Sequence, residues 1–109
     1  MAYDEKLAGR IRKALAGRRG LTERKMFGGI AFMLRGNMCC GALNDDLILR
    51  LVPEQAEKAL KKAHTRPFDM TGRPMKGFVV VISSGHKTAV ALRRWVEQAA
   101  DLARSLPAK

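Results

Sequence analysis

The chain has 109 residues, 47% of them hydrophobic, and a formal charge of +11 from 21 Lys plus Arg against 10 Asp plus Glu. This composition excludes a disordered tail, and no apolar run nears the ~20 residues that a membrane-spanning helix needs. Length predicts a single domain over residues 1–109, and the start "MAYDEKLAGR", charged from Asp4 onward, shows no apolar leader, so the expected location is the cytoplasm.

The first predicted element is a helix over "DEKLAGRIRKALAGRRG", striped by Leu7, Ile11 and Leu15 at a spacing of four. Asp4 and Glu5 suit its first turn, Arg18 and Arg19 its last, and Gly20 its stop. Arg10, Arg12 and Lys13 face outward. "KMFGGIAF" at Lys25–Phe32 then breaks an apolar run with Gly28 and Gly29. Short apolar runs follow, separated by Gly36–Asn37 and by "NDD". They predict an antiparallel β-meander with strands near 29–35, 38–43 and 46–52. Leu47, Leu49 and Leu51 share one face of the last strand, and Arg50 points to the other.

Pro53 fits the first position of a second helix, "PEQAEKALKKAH", whose narrow stripe of alanines implies close packing. "TRPFDMTGRPMKG" reads as a linker with two prolines and two glycines, and "FVVVIS" as an inner strand. The chain closes with a helix over "TAVALRRWVEQAADLARSL", with Val90, Leu92, Val96, Ala99, Ala103 and Leu106 inward, ending at Pro107. The order α-β-β-β-α-β-α predicts an α+β domain of two layers, an antiparallel meander sheet with flanking helices.

Few residues have the spacing of a reaction centre. Gly28–Gly29 precede a strand rather than a helix, which removes the amide-lined helix start that a phosphate loop uses. His64 and His86 have no carboxylate or cysteine at ligand spacing. Cys39 and Cys40 are adjacent, which suits neither a structural disulfide nor a zinc site, so both are expected to be small buried apolar residues. The acidic residues sit in turns or among lysines rather than in apolar surroundings that would tune them for proton transfer. The six aromatics, Tyr3, Phe27, Phe32, Phe68, Phe78 and Trp95, do not form a base-stacking platform. The expectation is a protein that is not an enzyme and needs no cofactor or metal.

Several short motifs occur in a characteristic order: "MFGG" at Met26, Phe27, Gly28 and Gly29; Gly36; "LILRL" at Leu47–Leu51; Pro67–Phe68; "GRPMKGFVVV" from Gly72; and a terminal helix with Trp95 and trailing alanines. In this order, over roughly Leu21 to Ala103, the chain resembles the N-terminal domain of the TfoX/Sxy competence-regulator family. The resemblance implies an α+β fold and a regulatory role. Full-length members are cytoplasmic coactivators of competence genes that work with the cyclic-AMP receptor protein. No catalytic residue carries over, and the chain stops at Lys109, where longer members continue into a helical C-terminal domain.

The expected function is therefore a non-enzymatic, regulatory protein-interaction module whose partner belongs to the transcription machinery. The alternative is a basic protein that holds DNA or RNA through phosphate contacts, with no role at a membrane. Surplus apolar surface and an uncovered sheet edge also predict a homodimer. The candidate binding residues are Arg24, Lys25, Arg50, Arg73 and Lys76. If the glycine turn and the "TGRPMKG" loop adjoin, these five form one basic rim suited to an acidic partner.

Overall fold

The stripe of Leu7 and Ile11 buries itself as predicted in helix α1 (Glu5–Ala14), whose start is capped by the Asp4 carboxylate accepting from the Lys6 amide at 2.9 Å. The computed structural model describes residues 3–26, 28–69 and 74–107, with the backbone alone at 26, 74 and 75. The helix ends well short of Gly20. Gly17 and Gly20 both take left-handed backbone angles, φ 87° and 72°, so the chain turns twice and leaves Arg18 and Arg19 off the helix, between the two glycines.

Six strands follow: β1 (Leu21–Met26), β2 (Gly29–Leu34), β3 (Asn37–Leu43) and β4 (Asp46–Arg50), then, after helix α2 (Pro53–Leu60), β5 (Thr65–Asp69) and β6 (Pro74–Val81). A short 3-10 turn at Ser83–Gly85 leads to helix α3 (Ala89–Ser105), capped by Thr88 accepting from the Ala91 amide. The sheet order is β1-β2-β3-β4-β6-β5, antiparallel throughout. The four predicted strands are present, with "FVVV" inside the sheet. Two more form its edges: β1, and β5, which occupies part of the expected linker. The domain is α+β in two layers, as predicted.

Strand alternation sends Ile30, Phe32, Leu34, Ala42, Leu47, Leu49, Val79 and Val81 to the face where all three helices lie, and they share one core with Ile11, Leu15, Ala56, Ala59, Leu92 and Val96. Val90, expected inside, is 64% exposed. It sits in the first turn of α3, before the helix meets the sheet. Among the described residues no helix is long and apolar enough to cross a membrane.

Two local features depart from ideal pairing. The β2–β3 hairpin turns on Arg35–Gly36, one residue earlier than expected, with φ 51° and 84°. Asn37 is buried instead, and its side-chain amide donates to the Pro107 carbonyl at 2.8 Å. The second feature is a bulge. Phe32 pairs with Cys40 while Met33 pairs with Met38, so Cys39 is an extra residue. The bulge overrides strict alternation and takes both cysteines into the core. They are free thiols, and the hydrogen bond with Cys39, together with burial, pushes the Cys40 thiol well above its ordinary range.

Candidate functional site

The face of the sheet opposite the helices carries its own apolar surface. Cross-strand pairing aligns Arg24, Ala31, Gly41, Ile48, Val80 and Arg66 in one row, an arginine at each end. Ala31, Ile48 and Val80 are only 2–4% exposed, yet they do not join the helix-side core. Met33 and Met38 pair beside this row, and Arg50 pairs with Phe78. The Phe78 ring lies 6.0 Å from that of Phe68. Met33, Met38, Leu43, Phe68 and Phe78 are half-buried, and Phe78 also lines a shallow pocket with Pro53, Ala56 and Leu60 of α2.

Backbone proximity explains the glycines in this layer. A Cβ on Gly29 would stand 2.5 Å from the Ala42 carbonyl oxygen, and one on Gly41 the same distance from that of Ile30. Each therefore permits close approach of β2 and β3. The neighbour of the glycine turn at Gly29 is thus β3. Met26 pairs with Gly29 at one corner of the sheet, whereas Asp69 pairs with Pro74 at the opposite end of the opposite edge. Gly28 makes the turn itself, with φ 77°.

The four of the five expected cations that are described, Arg24, Lys25, Arg50 and Lys76, do not form one rim. Arg24 and Arg50 share the open face but are three strand spacings apart, roughly 14 Å. Lys25 pairs with Ile30 and so alternates to the helix side. Lys76 lies at the far edge, beside a shallow pocket lined by Pro53, Ala56 and Leu60 of α2. Arg73, with Phe27 and Gly72 of the motif, lies outside the described residues. Of the other motif positions, Gly36 completes its hairpin turn, Pro67 and Phe68 belong to edge strand β5, and the Trp95 indole donates to the Gly85 carbonyl at 3.2 Å.

Arg66 of the apolar row is paired with Asp46 at 2.6 Å. On the other side of the sheet, Arg12 of α1 grips Glu23 of β1 through two hydrogen bonds of 2.5 and 2.7 Å, with its guanidinium 5.9 Å from the Phe32 ring centroid. This pair closes the rim of the core at the β1 edge. The hydrogen bond from Arg12 holds the Glu23 carboxyl below its ordinary value. Because the folded value is depressed, its contribution is complete above the unfolded carboxylate range and is lost as pH falls through the folded value. Both side chains are substantially exposed, at 50% and 34%, so the gain is limited to about 0.2–1 kcal/mol. Glu23→Gln should therefore lower stability by that amount at neutral pH and match the parent once acid has protonated Glu23. Paired urea melts at neutral and acidic pH check this, and an equal deficit at both would refute the charge-based account.

His86, the one buried histidine, is held from two sides. Its Nε2–H donates to the Asp45 carbonyl at 2.9 Å, and Nδ1 has no partner among the described residues. Arg10 donates to the carbonyl groups of His86, Lys87 and Thr88, fixing the entry to α3. The arrangement reads as structural support for the loop.

Sequence reasoning missed one grouping. Arg18, Arg19, Arg35 and Arg104, from three separate segments, line a concavity of about 270 Å³ at the Arg35 end of the sheet, with Leu34 as its apolar wall. The signals present in the sequence were Arg-Arg bracketed by glycines and Arg-Gly where a hairpin prefers Asn-Gly.

Comparison with known proteins adds one match: a family model described as the TfoX N-terminal domain covers residues 13–103. A search of curated proteins and a search of solved structures returned no match.

Proposed function

We infer the function from one premise: the chain belongs to the TfoX N-terminal domain family. It is a non-enzymatic interaction module in transcriptional coregulation of the DNA-uptake type, and it holds a protein partner against the open face of its sheet. The observation that supports this reading is the apolar row of Ala31, Gly41, Ile48 and Val80, outside the helix-side core, with Met33, Met38, Leu43 and Phe68 half-buried beside it. Methionines suit such a surface because their flexible thioethers adapt to a partner. The bordering cations, Arg24 and Arg50, and the net charge of +11 select a partner whose apolar segment is flanked by carboxylates.

A second copy of the chain is the alternative occupant. Like charges on the two rims oppose that pairing. The edges are also protected, since β1 exposes Thr22, Glu23, Arg24 and Lys25, and β5 contains Pro67. Sedimentation at micromolar protein tests this, because a mass near 12.1 kDa rules out the dimer.

The decisive experiment is capture from native cytoplasm with nuclease added, comparing the parent with Met33→Glu/Met38→Glu. The reading expects a discrete, acidic partner that the double variant loses while its Tm stays within a few degrees. Capture that survives the substitution would overturn the assignment to this face. The overall charge favours a second reading, nucleic-acid binding. That binding would be lost on nuclease treatment and would weaken with salt by a log–log slope of about −0.9 per neutralised phosphate.

A further inference from the structure

The four-arginine cleft lies at the end of the sheet, on the helix side, and is independent of the open-face reading. Its construction is unusual at two of the three contributing segments. Gly17 and Gly20, both left-handed, bracket Arg18 and Arg19 and lift them off α1. Arg35 occupies the first position of a tight hairpin turn with φ 51°, where asparagine or glycine is the low-energy choice. A side chain of this size held in the left-handed region is strained, and strain of this kind gathers at functional positions. Room is also made for the Arg35 side chain, since a Cβ on Gly20 would stand 2.5 Å from the Arg35 Cγ. The Arg35 amide donates to the Gly20 carbonyl at 2.9 Å, and its guanidinium donates to the Arg104 carbonyl at 3.3 Å. This ties the turn to the end of α3.

The charges in the cleft do not cancel. Arg18 pairs with Glu97 at 2.6 Å and Arg104 with Asp101 at 3.3 Å, whereas Arg19 and Arg35 have no carboxylate within ion-pair range among the described residues. Two of the four arginines that line the concavity thus carry a charge with no acidic partner among the described residues. Each presents a planar fork of N–H donors that matches the oxygens of a phosphate.

We propose that this cleft binds a phosphate group carried by a small phosphorylated molecule. The shape favours that source over a nucleic-acid backbone. The four arginines line one concavity of about 270 Å³ with an apolar wall at Leu34, rather than following a strand as an extended track would. Leu34 offers a surface for the non-phosphate body of the ligand.

The test uses the full chain, with inorganic pyrophosphate and a short labelled DNA duplex as separate probes at physiological salt. Calorimetry should show pyrophosphate binding. Arg19→Gln and Arg35→Asn should each weaken it at least about tenfold, the loss expected when one charge-assisted hydrogen-bonding group is removed. Arg93→Gln, on an exposed position of α3, should leave it unchanged. Arg35→Asn carries the discriminating readout, because asparagine tolerates the left-handed conformation better than arginine. Its Tm should stay equal or rise while binding falls. A lowered Tm with pyrophosphate binding intact would make Arg35 a packing residue and overturn the proposal. Absence of pyrophosphate binding, or binding indifferent to both substitutions, would overturn it as well. Duplex binding that needs Arg19 and Arg35 in a chain that ignores pyrophosphate would move the phosphate to a nucleic acid and overturn the small-molecule assignment.

Discussion

Gly29→Val should cost about 3 kcal/mol or more and lower Tm by roughly 10–20 °C. The Cβ position at Gly29 stands 2.5 Å from the Ala42 carbonyl oxygen, a backbone atom that cannot move aside without breaking the β2–β3 ladder. Two further methyl groups aggravate the clash. Gly28→Val probes a different mechanism. Gly28 is exposed and has φ 77°, so a β-branched residue there meets backbone strain rather than a neighbour, with an expected cost of about 1–3 kcal/mol. Thermal melts of both variants rank the two effects. Unchanged melting for both would contradict the close approach of β2 and β3, and a larger loss at Gly28 would mean that the turn, not the ladder, limits the fold.

Phe32→Ala should be comparably severe, at about 3–5 kcal/mol. The ring is completely buried, lies opposite Cys40 on the neighbouring strand, and has the Arg12 guanidinium over one face. Truncation leaves a cavity on the sheet's inner face near its β1 edge, which the surrounding strands fill only partly. Because a domain of this kind has a total stability of about 5–15 kcal/mol, the variant should approach the threshold of folding. In urea its midpoint should fall with little change in slope. A loss below about 1 kcal/mol would show that the inner face tolerates collapse around this position.

The elements visible in the sequence were those with a face committed to the core. α1 and α3 showed their stripes, and β2, β3, β4 and β6 showed apolar runs between turn residues. The edge strands gave no such signal. β1 exposes Thr22, Glu23, Arg24 and Lys25, and β5 is "TRPFD", with Arg66, Pro67 and Asp69 exposed. A strand with one neighbour and much solvent needs little apolar patterning, and proline is tolerated there. The turn at Arg35–Gly36 was misplaced by one residue because Asn37, a favoured turn residue, is used for a long-range bond to Pro107. The bulge at Cys39 is invisible to any period-two pattern, since it breaks that pattern. Two of the candidate cations, Arg24 and Arg50, do reach one face, as alternation dictates. The four-arginine cleft was not legible, because residues 18, 35 and 104 meet only once the sheet and α3 are assembled.

The paired cysteines set how this protein meets an oxidising environment. Both thiols are wholly inaccessible, and Cys40 strongly favours its protonated form. Thiolate is the reactive species, so hydrogen peroxide or a disulfide reagent has no target while the sheet is closed. Damage to either sulfur must wait for the chain to open, and its rate is set by the frequency of those openings. Oxidation in the resting protein therefore acts as a clock on conformational breathing, and any variant that loosens β3 also shortens the protein's chemical lifetime.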